Sequence, residues 1–441
     1  MKSLGVVLTA AAILVFVVLV LLSKQPRRTY LLYMLYVMPL IDFKVTPWQF
    51  GSLTLFDAFS YVMLFWRYKD FLSIYKPNRF YFGGFCTLIF LLLLGSLTSS
   101  FITNSLLSLL SVFPVFIYAR LLMVECMQDN QFMNKMIKVL QFACLFSMAF
   151  LAVQLVVGLN FRLYSELNQN TQDVNGIRYP SYFHDSQKYG QFLAMLSFLF
   201  LLNKKNVKRP ALINLLLFLL VAVAMFLTGG RSAFLGLSAG VLFLLVFAGM
   251  QFKKYIIAGC LAGGVLIAIF SHSLVVFNRD DDINNSLDFR ASIWKEAFEI
   301  YKAHPYLGIG VGNYQDYVSL YAQDQYLVLE DEIIFLDQPE NGYLKILTEY
   351  GGPAFLVAFV LIIGSAAGGM RAMVKKQTDA RVLLFIAPII SWLVSFVSLY
   401  SITDRRNLIV LICLCSFLIY LSNRSKIVDD KQTEEVNGQP V

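Results

Sequence analysis

The chain has 441 residues, 58% of them apolar, with a net charge of +8 and a mean hydropathy of +0.65. Soluble domains sit nearer ~45–50% apolar, so the composition excludes a soluble globular protein and predicts a polytopic membrane protein. The basic residues fall in short loops between apolar runs instead of clustering on one soluble face, which argues against nucleic-acid binding. Six cysteines make no disulfide framework. Cys86, Cys144, Cys260, Cys413 and Cys415 lie in apolar runs, and Cys126 falls in an expected cytoplasmic loop.

A spanning helix needs ~20 mainly apolar residues. On that rule the candidate spans lie near 4–22, 29–43, 51–66, 80–100, 104–123, 137–158, 189–202, 211–228, 232–249, 254–276, 353–370, 382–401 and 408–422. The second, third and seventh are short, so the prediction is about 12–13 transmembrane helices. The first run has no small-residue cleavage site before Lys24 and reads as a retained helix. Every second loop is basic: Lys24, Arg27 and Arg28, then Arg67 to Arg79, Arg120 to Lys138, Lys204 to Arg209, Lys253 and Lys254, and Arg371 to Arg381. The positive-inside rule then places the N-terminus outside and the C-terminus inside.

The chain therefore divides into N-terminal transmembrane helices (1–158), an outer loop (159–188), further transmembrane helices (189–276), a large extracytoplasmic loop read as catalytic (277–352), C-terminal transmembrane helices (353–422) and a disordered cytoplasmic tail (423–441). The fold class is an all-α polytopic membrane protein with a large helical extracytoplasmic loop. Within that loop fourteen Asp or Glu face five Lys or Arg, much of which the positive-inside bias accounts for. Ile293, Ala297 and Ile300 give a helix over 289–303 one buried face, with Asp288 placed to cap it and Pro305 beyond its end. Tyr343, Leu344, Leu347 and Tyr350 make one face of a short helix ending at Gly351-Gly352, expected against the membrane surface or over a cavity.

Three arginines fall on the predicted outer side in separate segments. Arg178 precedes the seventh span. Arg231 follows Gly229-Gly230 at a helix entrance, and Arg290 stands one turn before Trp294. A guanidinium fork matches phosphate oxygens two at a time, so three beside one cavity suit a pyrophosphate; singly, each reads equally as an interface anchor. Glu340, beside Pro339 and ahead of a helix starting near Asn341, is the candidate general base, or else a carboxylate favoured by the helix dipole. His184 with Asp185 is a secondary acid–base candidate, with Lys188 and Asn341 as further site candidates, and His304 reads as a helix-end residue. The glycine run Gly308, Gly310 and Gly312 could cradle phosphate but reads more simply as a tight turn. Asp280, Asp281 and Asp282 could hold a cation but read as a solvated turn.

The ordered set resembles the O-antigen ligase and O-antigen polymerase family of bacterial membrane glycosyltransferases. Arg178–Gly190, Thr228–Leu237, Arg290–Asn313 and Glu340–Ala354 resemble four of its segments, in the same order. The resemblance implies a GT-C-like fold in the bacterial cytoplasmic (inner) membrane. It also implies an undecaprenyl-pyrophosphate-linked oligosaccharide as substrate, no metal and no cofactor, and a flippase and a chain-length regulator as partners. Arg178, Arg231 and Arg290 would hold the pyrophosphate, and Glu340 would activate the attacking hydroxyl, in a metal-independent inverting transfer that builds O-antigen, capsule or exopolysaccharide. Ligases of the family carry a histidine where this chain has Glu340, which favours a polymerase over a ligase. A flippase or other transporter is the alternative of another class; the absence of symmetric halves and the polar residues gathered on one face count against it.

Overall fold

The computed structural model describes residues 2–44, 53–73, 79–129, 131–164, 167, 172–173, 176–202, 212–270, 283–321, 326–329, 332–335, 338–378 and 380–436. Asp280, Asp281 and Asp282, and the basic segment 204–209, lie outside them.

The architecture is helical. In chain order the helices are α1 (Lys2–Leu22), α2 (Pro26–Tyr36), α3 (Leu55–Trp66), α4 (Tyr68–Leu72), α5 (Arg79–Leu97), α6 (Ile102–Gln128), α7 (Phe132–Val157), α8 (Ser186–Ser197), α9 (Leu212–Phe226), α10 (Arg231–Phe247), α11 (Met250–Phe270), α12 (Ile283–Ala303), α13 (Tyr314–Tyr321), α14 (Gly342–Val374), α15 (Arg381–Ser395) and α16 (Arg405–Val436). Two short antiparallel hairpins, β1 (Gln172–Asp173) with β2 (Gly176–Ile177) and β3 (Tyr326–Leu329) with β4 (Glu332–Phe335), decorate the loops. α5, α6, α7, α14 and the Arg405–Asn423 part of α16 are long and apolar enough to cross a membrane. Shorter apolar helices at Leu8–Leu22, Leu55–Trp66, Leu212–Phe226, Arg231–Phe247 and Arg381–Ser395 complete an all-α polytopic membrane protein.

The three short spans fold as less than full crossings. α3, at 12 residues, reaches only about 18 Å at 1.5 Å per residue, against a hydrocarbon core of ~30 Å. α2 stops after 11 residues. α8 gives way to a 3-10 turn at Phe198–Leu201 and is buried by its neighbours from Tyr189 onward.

Glycine decides the closest helix pairing. On α10, Gly236 and Gly240 face α15 directly: a Cβ at 236 would stand 2.4 Å from the carbonyl oxygen of Ser391, and one at 240 would stand 2.8 Å from that of Ala387. Small residues four apart let two backbones meet, and dispersion between them holds the pair.

Several boundaries differ from the sequence reading. α12 starts at Ile283, so Asp288 lies inside the helix and does not cap it. Its predicted face is buried: Ile293, Ala297 and Ile300 pack with Ile309, Tyr314 and Val318 in a small second core. Cys126 is buried in α6, which runs on to Gln128 and into the expected loop. α14 joins the short helix and the span that follows, with a break at Gly351 (φ 77°, ψ 166°). Its first part does not lie on a surface. Leu344 packs on the second core, whereas Ile346 and Tyr350 are buried in the main one. The tail expected to be disordered continues α16 to Val436; residues 424–436 hold no Gly or Pro to stop a helix.

Candidate active site at one end of the bundle

The segments that charge alternation assigns to the outer side meet at one end of the helix bundle, through hydrogen bonds between distant parts of the chain. Tyr179 N–H donates to Leu227 O (3.2 Å), Gln154 Nε2 donates to Ser181 O (2.8 Å), and Asn407 Nδ2 donates to Lys188 O (3.0 Å). Gly342 N–H donates to Phe396 O (3.0 Å). The opposite end carries its own ion pairs, Arg27 with Glu125 (2.6 Å) and Asp70 (3.2 Å), and Arg28 with Asp129 (3.0 Å).

Glu340 and Arg290 come together. Arg290 Nε lies 3.6 Å from Glu340 Oε2, and the two side chains are 34% and 44% exposed, so the pair is open to a ligand. Glu340 has a positive φ of 44°, a left-handed conformation that L-residues other than Asn and Asp seldom adopt. It turns the chain into α14. Asn341 then caps that helix, its Oδ1 accepting from Tyr343 N–H (3.0 Å) and Leu344 N–H (3.2 Å).

The arm that carries Glu340 is fixed from both sides. Tyr343 donates its hydroxyl to Leu393 O (2.6 Å). A Cβ at Gly342 would fall 2.2 Å from the Phe396 ring, so only glycine lets the arm settle there. On the other side the glycine run clamps it: Ile309 N–H donates to Thr348 O (2.9 Å), Gly310 N–H to Glu349 O (3.0 Å), and Gly352 N–H to Pro305 O (2.8 Å). The same loop is pinned to the turn between α5 and α6, where Asn313 Nδ2 donates to Ser99 Oγ (2.7 Å) and Ser99 Oγ donates to Ile309 O (2.5 Å). The backbone donors of Ile309 and Gly310 are therefore committed to α14, and the run acts as a tight clamp instead of a phosphate cradle.

Arg178 and the Gly-Gly-Arg segment form a second constellation. Arg178 is 1% exposed and lies along Gly229, whose φ is +69°. Two residues on, Arg231 opens α10 and is exposed. Gly230 sits beside Gln187 of α8, and Gln191, one turn further, donates to Ser395 Oγ (2.6 Å) at the end of α15. Phe396, the next residue, supports Gly342. Both constellations therefore meet at the end of α15, one through Phe396 and the other through Gln191 of α8.

The secondary candidates and His304 lie close to the same end. Asp185 caps α8, with Oδ1 accepting from Gln187 N–H (2.7 Å). The His184 ring packs on Tyr164, with centroids 3.7 Å apart. His304 Nε2 lies 2.9 Å from the Tyr317 hydroxyl. Lys188 adds positive charge beside Asp42 and Asp404.

Sequence reasoning missed one polar cluster entirely. Arg406 is 0% exposed, with Nη2 2.7 Å from both Asp404 Oδ2 and Asp42 Oδ2. It also donates to Tyr182 O (3.0 Å) and lies 3.9 Å from the Phe183 ring centroid. Burial pushes the Asp404 carboxyl up, but the Arg406 charge and hydrogen bonds outweigh it and hold the group below its usual value. Burial dominates at Asp42, which is pushed up to about 6 against the pull of Arg406. Arg405 lies 3.4 Å from Asp57 and donates to Ser111 O (2.6 Å). The signal was available: two arginines in an outer loop run against the positive-inside pattern. A second omission is Lys345, 3.7 Å from the buried Glu349 and 4.4 Å from the Tyr400 ring centroid.

Residues 215–359 match the family model described as O-antigen ligase. The matched span contains Arg231, Arg290, Trp294 and Glu340, and leaves out Arg178 and the cluster at 404–407. It supports placing the chain in the O-antigen ligase and polymerase family, whose members are membrane enzymes of glycan transfer. No curated protein matches the chain.

Proposed function

With the chain placed in the O-antigen ligase and polymerase family, we propose that it polymerises lipid-linked oligosaccharide repeat units at the outer face of the bacterial inner membrane. The donor is a glycan on undecaprenyl pyrophosphate. The hydroxyl of a second repeat unit attacks the anomeric carbon, and the bond from that carbon to the phosphate oxygen breaks. The pyrophosphate leaves with the electron pair, the configuration inverts, and the hydroxyl proton passes to Glu340. Arg290 and Arg231, with Arg178 behind them, supply positive charge to the departing pyrophosphate, so the step needs no metal ion.

The observation that carries this reading is the Arg290–Glu340 pair, formed by two partly exposed side chains fifty positions apart at 3.6 Å. A pyrophosphate binding Arg290 would draw the guanidinium from Glu340 and leave the carboxylate to accept a proton. The lipid tail has a matching environment. An apolar cleft between α5, α6, α14 and α16 is lined by Leu92, Phe116, Ile346, Leu361 and Ile412, with Arg405 at one end. Ile346 is less than two helical turns from Glu340. A flippase and a chain-length regulator are the expected partners.

The test is synthesis by the purified protein with its lipid-pyrophosphate repeat unit, the products resolved as a ladder. Parent protein is expected to give a ladder and Glu340→Gln none, with both equally folded. A ladder from both would retain the enzyme and remove Glu340 as the base. The ligase description of the matched family favours one second reading, transfer of finished glycan to a lipid or protein acceptor. Product on an acceptor without a ladder would select it.

A further inference from the structure

α7 and α15 both start at the end of the bundle opposite the Glu340 arm. Their far ends hold Gln154, which bonds Ser181, and Ser395, which bonds Gln191. From Lys135 to Gln154 is about 28 Å at helical rise, close to the ~30 Å of a bilayer core. Between the two starts lies a cavity of about 920 Å³, walled by α7, the Phe198–Leu201 turn, α9 and α15. Its lining carries Lys135, Lys138 and Arg381 and, among the described residues, no Asp or Glu. Gln141 Nε2 donates to Leu199 O (2.8 Å) and Asn214 Nδ2 to Leu202 O (3.2 Å), so the polar amides tie the walls together.

The character of the wall changes with depth. Lys135 and Lys138 stand one turn apart, and Phe142 and Leu145 follow on the same face of α7, one and two turns further into the bundle. Leu217 and Phe385 line the cavity from α9 and α15. Cations at the membrane edge with apolar side chains below them match a molecule with an anionic head and a hydrocarbon tail.

We infer that this cavity binds one anionic phospholipid from the leaflet that faces the basic loops. Lys135, Lys138 and Arg381 hold its phosphodiester, and an acyl chain lies along Phe142 and Leu145. The lipid bridges α7, α9 and α15, the last being the helix whose other end supports the Glu340 arm. The inference does not depend on the reaction proposed above.

The experiment measures phosphatidylglycerol retained per chain by native mass spectrometry, and the melting shift it produces in detergent. The samples are the parent protein, the triple variant Lys135→Gln/Lys138→Gln/Arg381→Gln, and the control Lys375→Gln/Lys376→Gln on the same face. Parent and control are expected to retain one phosphatidylglycerol and to melt higher with it than with phosphatidylcholine. Loss of three cations, at about fivefold each, weakens binding on the order of 100-fold in the triple variant. If the triple variant does not fold, Lys138→Glu alone is expected to reverse the preference for the anionic lipid. Equal retention by parent and triple variant overturns the site. An equal shift from inorganic phosphate makes it a free-anion site, and equal retention of phosphatidylcholine makes it merely apolar; either result also overturns the proposal.

Discussion

Arg178 occupies the space that a side chain on residue 229 would need. A Cβ there would stand 2.9 Å from both Cγ and Cδ of the arginine. Two distant segments are thereby fitted to each other, and the glycine is required twice, for its positive φ and for its missing side chain. Gly229→Ala is expected to cost ~1–2 kcal/mol in backbone strain and to dislodge Arg178. Turnover on a lipid-pyrophosphate donor should fall for Gly229→Ala and Arg178→Ala alike. The double variant should be little worse than either single one, because both act on the same guanidinium.

Arg290 and Glu340 should separate kinetically. If the proposed reaction holds, Arg290→Ala removes charge stabilisation of the leaving group, for which loss of one oxyanion donor elsewhere costs ~10²–10³ in kcat. Arg290→Lys keeps the charge but loses the fork, and should recover part of that loss. Glu340→Gln should lower kcat with little change in donor KM. A matching rise in donor KM would instead mark Glu340 as a binding residue.

The buried cluster around Arg406 predicts opposite behaviour for its two carboxyls. Asp404 also accepts the backbone N–H of Arg406 (3.0 Å) and of Asn407 (3.3 Å). Asp404→Ala should therefore destabilise strongly, by ~3–5 kcal/mol as for a broken buried pair. Asp42→Asn should cost less.

The pH dependence of that cluster follows from the two directions of shift. Asp42 is raised to about 6 in the folded chain from its usual 3.8. Its contribution to stability is fully present below 3.8 and is lost as pH rises through about 6. Asp404 is lowered, so its contribution is present above its usual value and is lost on strong acidification. Melting temperatures of parent and Asp42→Asn, compared between about pH 7 and pH 5, should diverge in the parent's favour as pH falls. A constant difference would remove Asp42 as the titrating group.

Replacing Gly236 or Gly240 with leucine should force α10 away from α15. Overpacking a tight contact costs ~1–3 kcal/mol, and here the obstacle is a backbone carbonyl that no rotamer change can clear. A fall in melting temperature of the detergent-solubilised protein is expected, with a smaller loss for Gly236→Ala than for Gly236→Leu.

Much of the fold was legible because apolar runs and loop charge obey the membrane strongly. The face Ile293, Ala297 and Ile300 follows from periodicity alone, and the helix end at Gly351-Gly352 from glycine. The three short runs were recognisable as short, but only tertiary contacts show that α8 is enclosed by its neighbours. Within the candidate site, Arg290 and Glu340 could be named as separate candidates, yet their pairing needs the clamp of residues 305–313 on α14, which no local pattern encodes. Asp42 and Asp57 come from segments far from the Asp404-Arg405-Arg406 run, so their pairing with Arg406 and Arg405 stays hidden in one dimension. The stacking of His184 on Tyr164 and the contact of His304 with Tyr317 are likewise tertiary and invisible in the sequence.

The break at Gly351 makes the preceding nine residues a lever of fixed length. Each residue added or removed between Gly342 and Tyr350 would shift Glu340 by about 1.5 Å along the arm and swing it by roughly 100° around it. The site should therefore tolerate no change in the length of that lever. A single-residue deletion would aim the carboxylate away from Arg290 while leaving every side chain in the site chemically intact.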